Sequence, residues 1–584
     1  MKRNSITRLS LLLVILITIL SSNLSIAEGQ QIPPGQDVGA TGRRAEKTKR
    51  ATEVTQELIK EAEEPKINTE DVIEPEKPKQ ISASQERQLI DKIEVTGVSV
   101  VDDSIIRAIV EPYEGKELSL DEFRNIADAI SDEYRSRGYV TSFAYLPPQR
   151  IDDSTLRIEV LEGKVGGITL EGNKHFKKRV LLKYITQKKD DIFNYDVLRR
   201  DIDNLNSHPD RAAKAVLARG EERGQTDLNL QVKDKTPLHA TLGYDNYNSR
   251  YLDRNRFLVE LKSNNLTGND DIASAEVQFG EEDKYQLYSA RYLYPIIPTG
   301  AWGAYYIHVD QKLGREVSSL NIEGDGDIIS TYYAYKVADK DNFSLDITPG
   351  FEYKDIENTV LGITTGDDKI RIAKVGLNLD ANDRFDGRTI ITQEFDFGIE
   401  DILGGLDHKD PDASRLGAGG RFFRSVTNIA RIQTLPKSMA LMLKGAMQLT
   451  AYNMVSSEQF TIGGINRVRG YPVAEYAGDR GGTLSAELYI PPYGTPKEWK
   501  VPFTKDVYWF DALRFVGFFD WGIIENKSPQ VGEPKKERLY SAGPALRLDI
   551  PNKASLSLDL GIQLGQEASD GSDSRFLAEV KLFF

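Results

Sequence analysis

The chain contains no cysteine, which removes disulfides, thiolate metal sites and a cysteine nucleophile from consideration. Histidine is scarce, five in 584 residues, and no two stand at a spacing that suits zinc or iron. No G-x-x-x-x-G-K-[ST] phosphate loop occurs, and no Ser-His-Asp set is evident. We therefore expect no catalytic residue, no metal and no cofactor. An excess of positive charge is also missing: the net charge is -14, which argues against nucleic acid as the main partner. Beyond the N-terminus no segment approaches the ~20 consecutive apolar residues of a spanning helix.

The N-terminus itself is apolar. Lys2, Arg3 and Arg8 precede the run from Leu9 to Leu20, and small residues follow up to Ala27. This is the pattern of an export signal, and we expect residues 1–27 to be cleaved after Ala27. An exported chain without a spanning helix is either soluble outside the cytoplasm or a β-barrel in an outer membrane.

Residues 28–89 are rich in Pro, Glu and Lys and lack the apolar content of a core, so they read as a polar linker. Within it, Arg44–Glu64 has helix-forming residues and is a candidate plug helix. Residues 90–163 and 164–236 form a weak internal repeat. Each copy has a short strand, a turn glycine (Gly97, Gly172), helical segments and a closing strand pair. Neither holds a catalytic constellation, and both read as docking modules.

From residue 237 to 584 the pattern is strand after strand. In "ASLSLDLGIQLG", Leu556, Leu558, Leu560, Ile562 and Leu564 alternate with Ser555, Ser557, Asp559 and Gln563. Roughly sixteen segments of about 9–13 residues recur, the length a tilted membrane-spanning strand needs. Expected starts include Leu416 for the tenth strand and Thr483 for the twelfth. Aromatic residues near strand ends suggest interfacial girdles. The expected fold is thus an all-β transmembrane barrel of about sixteen antiparallel strands, preceded by two small α+β domains and a polar linker.

One stretch breaks the alternation. Residues 452–482 carry three arginines and two Gly-Gly pairs between the eleventh and twelfth strands, on the sixth outer connection. On the thirteenth strand, "LRFVGFFDWG" puts Leu513, Phe515, Phe519 and Trp521 on one face and Asp520 on the other, towards the lumen. A carboxylate there wants a cation, and arginine offers a planar bidentate partner.

"VRGY", Val468 to Tyr471, resembles the sixth-loop signature of the outer-membrane polypeptide transporter superfamily, and "GFFDWG", Gly517 to Gly522, resembles its barrel-wall motif. "GYVTSFAYLPPQRIDDSTLRIEVLEG", Gly138 to Gly163, is similar to the first polypeptide-transport-associated (POTRA) domain of two-partner secretion transporters of the haemolysin and filamentous-haemagglutinin type. Asn204–Val232 is similar to their second such domain, and Leu238–Arg250 to their first barrel strand and loop.

The resemblance implies a pore that captures an extended partner protein in the periplasm and passes it across the outer membrane without ATP. The partner would be an adhesin or cytolysin-like exoprotein with an N-terminal secretion domain; outer-membrane lipid would surround a monomeric pore. It implies a lock between loop and barrel made by Arg469 and Asp520, with Val468, Gly470, Tyr471, Phe519 and Gly522 around it. Tyr139, Leu146, Pro147, Pro148, Gln149, Leu198 and Leu205 are the candidate cargo-docking residues. A barrel-assembly insertase is the alternative, and a passive porin a further one.

Overall fold

The computed structural model describes residues 36–46, 49, 87–151, 153–297, 299–340 and 342–584. The expected export signal, and most of the linker and of the expected plug helix, lie outside the described residues.

The two modules fold alike. In the first, Lys92–Thr96 pairs in parallel with Thr155–Leu161, which pairs antiparallel with Phe143–Tyr145. In the second, Lys164–Glu171, Gln225–Asp234 and Arg211–Arg219 form the matching three-stranded sheet. The helix Leu120–Ser136 starts at a reciprocal cap. The Ser119 hydroxyl accepts from the Glu122 amide, and the Glu122 carboxylate accepts from the Ser119 amide. Ile126, Ile130 and Tyr134 then fall on one face and are buried against the first sheet.

The repeat is visible at single residues. Gly97 (φ +82°) and Gly172 (φ +87°) sit where a Cβ would lie 2.3 Å from the carbonyl oxygens of Val160 and Val232 respectively. The Glu162 carboxylate closes the first module by accepting from the Ser99 amide at 2.7 Å and the Tyr134 hydroxyl at 2.7 Å. Asp234 does the equivalent for the second, accepting from the Lys174 and His175 amides at 2.8 Å each.

The modules are joined to each other and to the barrel. The amides of Phe193 and Tyr195 donate to the carbonyls of Gly163 and Gly138, each at 2.8 Å. The second module grips the barrel turn 264–271: Lys177 Nζ donates to the Thr267 carbonyl at 2.8 Å, and Tyr184 and the buried Arg211 both donate to Asp270.

From Leu238 the chain forms one closed barrel of sixteen antiparallel strands, each hydrogen-bonded to the next, with Ser574–Phe583 returning to Leu238–Asp245. Strand length departs from the expected span of about 9–13 residues. The sixth, seventh and eighth strands, Glu323–Lys340, Phe343–Val360 and Ile363–Asn382, run to 18, 18 and 20 residues. The seventh and eighth strands stay paired along nearly all of this length, and Arg371 Nη1 meets Asp355 across them at 2.9 Å.

The tenth strand begins at Phe423 instead of Leu416. The preceding residues form an outer loop drawn inward by Arg415, which pairs with Asp479 at 2.7 Å and Glu533 at 2.6 Å. The twelfth strand begins at Arg480, so the sixth outer loop spans 451–479 and contains its own ribbon, Phe460–Ile462 against Tyr476–Gly478.

The lumen is occupied. A helix over 38–46 lies inside the barrel, starting six residues before the expected Arg44. Asp37 caps it by accepting from the Ala40 amide at 3.0 Å. Its glycines argue against a helix by propensity, but they let it pack closely on the wall and on Ser457 of the sixth loop. A Cβ on Gly39 would lie 2.2 Å from Ile356, and one on Gly42 would lie 3.3 Å from Val309.

Candidate functional site

The thirteenth strand, Leu513–Glu525, alternates as its sequence indicates. Phe515 and Phe519 are 47% and 46% exposed on the outer face, while Asp520 is 1% exposed on the inner face. Its cross-strand neighbours are Ser485 and Ser541. The sixth loop folds back into the lumen and delivers Arg469 to this point. Arg469 Nε and Nη2 donate to the two oxygens of Asp520 at 2.7 Å each, a bidentate pair, and the Arg469 amide adds a third bond at 3.1 Å. The guanidinium carbon lies 3.6 Å from the centre of the Phe518 ring.

The strand pattern indicates one carboxylate partner for Arg469; the structure shows three. Arg469 Nη1 also meets Glu487 at 2.8 Å and Asp559 at 3.0 Å. Lys444 balances Glu487 at 3.1 Å and Arg547 balances Asp559 at 2.7 Å. Three cations and three carboxylates thus form one mostly buried group. Asp559 and Glu487 read in the sequence only as lumen lining, because their partners come from a distant loop.

The other signature residues make room for this docking. Val468 is buried against Ile462 and over Gly522, where a Cβ would lie 2.7 Å from Val468 Cγ2. Gly470 (φ +98°) runs against the fifteenth strand, Ala554–Gln563, so closely that a Cβ on Gly561 would lie 2.3 Å from its amide nitrogen. The fully buried Tyr471 donates its hydroxyl to the Gln566 carbonyl at 3.0 Å.

A second anchor lies nearer the loop's start. Glu458 is fully buried and holds three cations: Arg43 of the lumenal helix at 2.9 Å, Lys354 of the seventh strand at 2.7 Å, and Arg424 of the tenth strand. Lys354 also meets Glu352 at 2.7 Å, and Arg424 meets Asp396 at 2.5 Å. Helix and loop together leave a cavity of about 440 Å³ in the lumen, lined in part by Arg43, Lys374, Arg467 and Arg514.

The cargo-docking candidates separate. Tyr139 and Leu146 are half-buried and pack on the first module's core, beside Pro147 and the exposed Pro148. The Gln149 side chain is engaged within its own module, donating to the Arg157 carbonyl at 2.7 Å and accepting from the Arg157 amide at 2.8 Å. Leu198 and Leu205 are not available to a partner. They are 3% and 0% exposed, because the helix Tyr195–Asn206 turns its apolar face onto its own sheet. The exposed apolar residues of the second module instead lie on its edge strand, at Val216 and Leu217.

One group that sequence spacing did not show lies away from the lumen. His308, Asp310 and Asp325 bring potential ligand atoms within 4.8 Å of one another from the fifth and sixth strands. Their proximity depends on strand register, which residue spacing alone does not report.

The family described as "Haemolysin secretion/activation protein ShlB/FhaC/HecB" matches residues 224–542. The chain belongs to this family. A "POTRA domain, ShlB-type" matches residues 89–163, and a further POTRA match covers 164–233. The heme/hemopexin transporter protein HuxB of Haemophilus influenzae strain 86-028NP is 26% identical over 401 residues, which is 67% of this chain and 70% of HuxB. The solved CdiB from Escherichia coli superposes with a TM-score of 0.72 at 18% identity, covering 96% of this chain and all of that one. BamA from Haemophilus ducreyi lacking POTRA domains 1–3 superposes at 0.51 and 14% identity, over 85% of this chain and all of that one. In fold, CdiB is therefore the better match than BamA. This transporter resides in the outer membrane, with its POTRA domains in the periplasm, and exports a partner protein across that membrane.

Proposed function

We propose that the transporter is a gated conduit that takes its partner as an extended chain at the POTRA domains and feeds it into the lumen. The observation that carries this reading is the occupancy of the lumen by two segments, the helix over 38–46 and the sixth loop, each anchored by buried ion pairs. Arg469 and Asp520 act as the loop-barrel lock, and Val468, Gly470, Tyr471 and Gly522 supply its fit. Phe519 faces outward and contributes to the lipid-facing wall.

Capture uses strand addition. Arg211–Arg219 and Phe143–Tyr145 are edge strands of their sheets, with Val216 at 42% and Phe143 at 42% exposed. Backbone hydrogen bonds to such an edge tolerate varied partner side chains. Transport then runs without ATP, drawn by folding of the partner outside. The pore works as a monomer, has no enzymatic activity, and takes an adhesin or cytolysin-like exoprotein with an N-terminal secretion domain. A photo-crosslinker at Val216 or Phe143 should capture a stalled partner. Failure at both positions, with crosslinks only from lumenal residues, would remove strand addition from the reading.

A further inference from the structure

The periplasmic connection between the twelfth and thirteenth strands, residues 491–512, has no place in the lock or the edge strands. The other connections on that side are short, such as 383–386, 436–438 and 551–553. This one carries Tyr493, Trp499, Phe503, Tyr508, Trp509 and Phe510, interleaved with Lys497, Lys500 and Lys505.

Its tip is built, not slack. The Val501 amide donates to the Val507 carbonyl at 2.8 Å, the Trp509 amide to the Trp499 carbonyl at 2.9 Å, and the Thr504 hydroxyl to the Val501 carbonyl at 2.7 Å. At the apex Phe503 takes φ +63°, a conformation that bulky residues rarely adopt, and presents a ring that is 98% exposed. Trp499 and Tyr493 are 61% and 53% exposed beside it. Three exposed rings gathered on one ordered loop make an aromatic patch of the kind that marks a site for a partner or a membrane.

Where the tip sits identifies that partner. The Phe503 carbonyl accepts from Lys553 Nζ in the rim turn 551–553, and the Lys553 carbonyl accepts from the Phe583 amide at 2.8 Å. The next residue, Phe584, is 69% exposed and ends the outward series of Val580 and Leu582. At the loop's other side, the Tyr493 hydroxyl donates to the Lys437 carbonyl in the rim turn 436–438 at 2.6 Å. The exposed aromatics therefore continue the lipid-facing belt at its lower edge. Lys497 Nζ lies 5.1 Å from the Phe510 centre and Lys500 Nζ 5.6 Å from that of Tyr508. Lys500 also donates to the Lys505 carbonyl at 2.7 Å and faces Asp506 at 3.7 Å, while Glu498 and Asp511 complete a loop of balanced charge. Aromatic rings with snorkelling cations are the chemistry of the headgroup layer.

We propose that residues 491–512 are a membrane-surface anchor, in which Phe503 and Trp499 insert into the phospholipid headgroup layer of the periplasmic leaflet. The absence of cysteine makes the test clean. Phe503→Cys and, separately, Trp499→Cys are spin-labelled in the full-length protein in vesicles of phosphatidylethanolamine and phosphatidylglycerol. Phe515→Cys on the wall serves as the lipid reference. Val531→Cys, at a residue 100% exposed on an outer loop, serves as the aqueous reference. The expected result is an oxygen-to-nickel accessibility ratio at both sites several-fold above that at 531 and approaching that at 515. Ratios equal to the aqueous reference overturn the proposal. So does an aqueous ratio that changes only when an extended partner segment is added, which would assign the tip to the exported chain.

Discussion

Arg469→Ala tests the lock most directly. The substitution leaves Asp520, Asp559 and Glu487 facing only Lys444 and Arg547, so one negative charge in a mostly buried group is uncompensated. Removing one partner from a buried ion pair costs about 3–5 kcal/mol. Because ~1.4 kcal/mol is a factor of ten, the undocked population of the sixth loop should rise by roughly two to three and a half orders of magnitude. Asp520→Asn should do less. Arg469 keeps Glu487 at 2.8 Å and Asp559 at 3.0 Å, and the lost charge-assisted bonds are worth roughly 1.5–3 kcal/mol. The readout is the maleimide reactivity of a single cysteine at Val468, which is fully buried while the loop is docked. Reaction should speed up in the order parent, Asp520→Asn, Arg469→Ala. If the two variants react within about threefold of the parent, less than a ~0.7 kcal/mol effect, the ion pair does not hold the loop and the reasoning fails.

Gly561→Ala should undock the loop with every charge intact, since its Cβ would lie 2.3 Å from the Gly470 nitrogen. Gly517→Ala, with open space around it, should leave the same cysteine protected. Glu458→Gln should loosen the lumenal helix by roughly 3–5 kcal/mol, since Arg43, Lys354 and Arg424 lose their common carboxylate. Single-channel recordings should then show longer open times. Burial keeps His208 below its ordinary pKa of 6.5, so it is neutral when docked, its Nε2–H donating to the Asn264 carbonyl at 2.8 Å and its Nδ1 accepting from the Asp210 amide. Freed of the contact, it takes up a proton more readily. The grip of the second POTRA domain on the barrel should hold above pH 6.5 and weaken as pH falls below it, measured by hydrogen exchange at residues 264–271, and His208→Gln should flatten the profile.

Much of the architecture is legible because two-residue alternation is a local property. Asp520 must face inward once Phe515 and Phe519 face lipid, and the twin turn glycines Gly97 and Gly172 mark the repeat in the sequence alone. What stayed hidden depends on register and tertiary contact. Leu198 and Leu205 show an apolar helical face, but periodicity does not say that the face meets its own sheet. The lumenal helix begins among glycines that propensity disfavours, and only the nearby wall explains them. Glu458 lies in a short polar turn with no periodic signal, and its three cations come from three separate segments.

That carboxylate has a consequence for how the pore opens. If Arg43 withdraws alone, Glu458 loses one of its three cations; if Glu458 withdraws alone, Arg43 is stranded in a low dielectric. When both depart, Lys354 keeps Glu352 and Arg424 keeps Asp396, and electroneutrality is restored. Half-cleared states are therefore the costly ones. The two obstructions behave as a single bolt, and passage should be all-or-none.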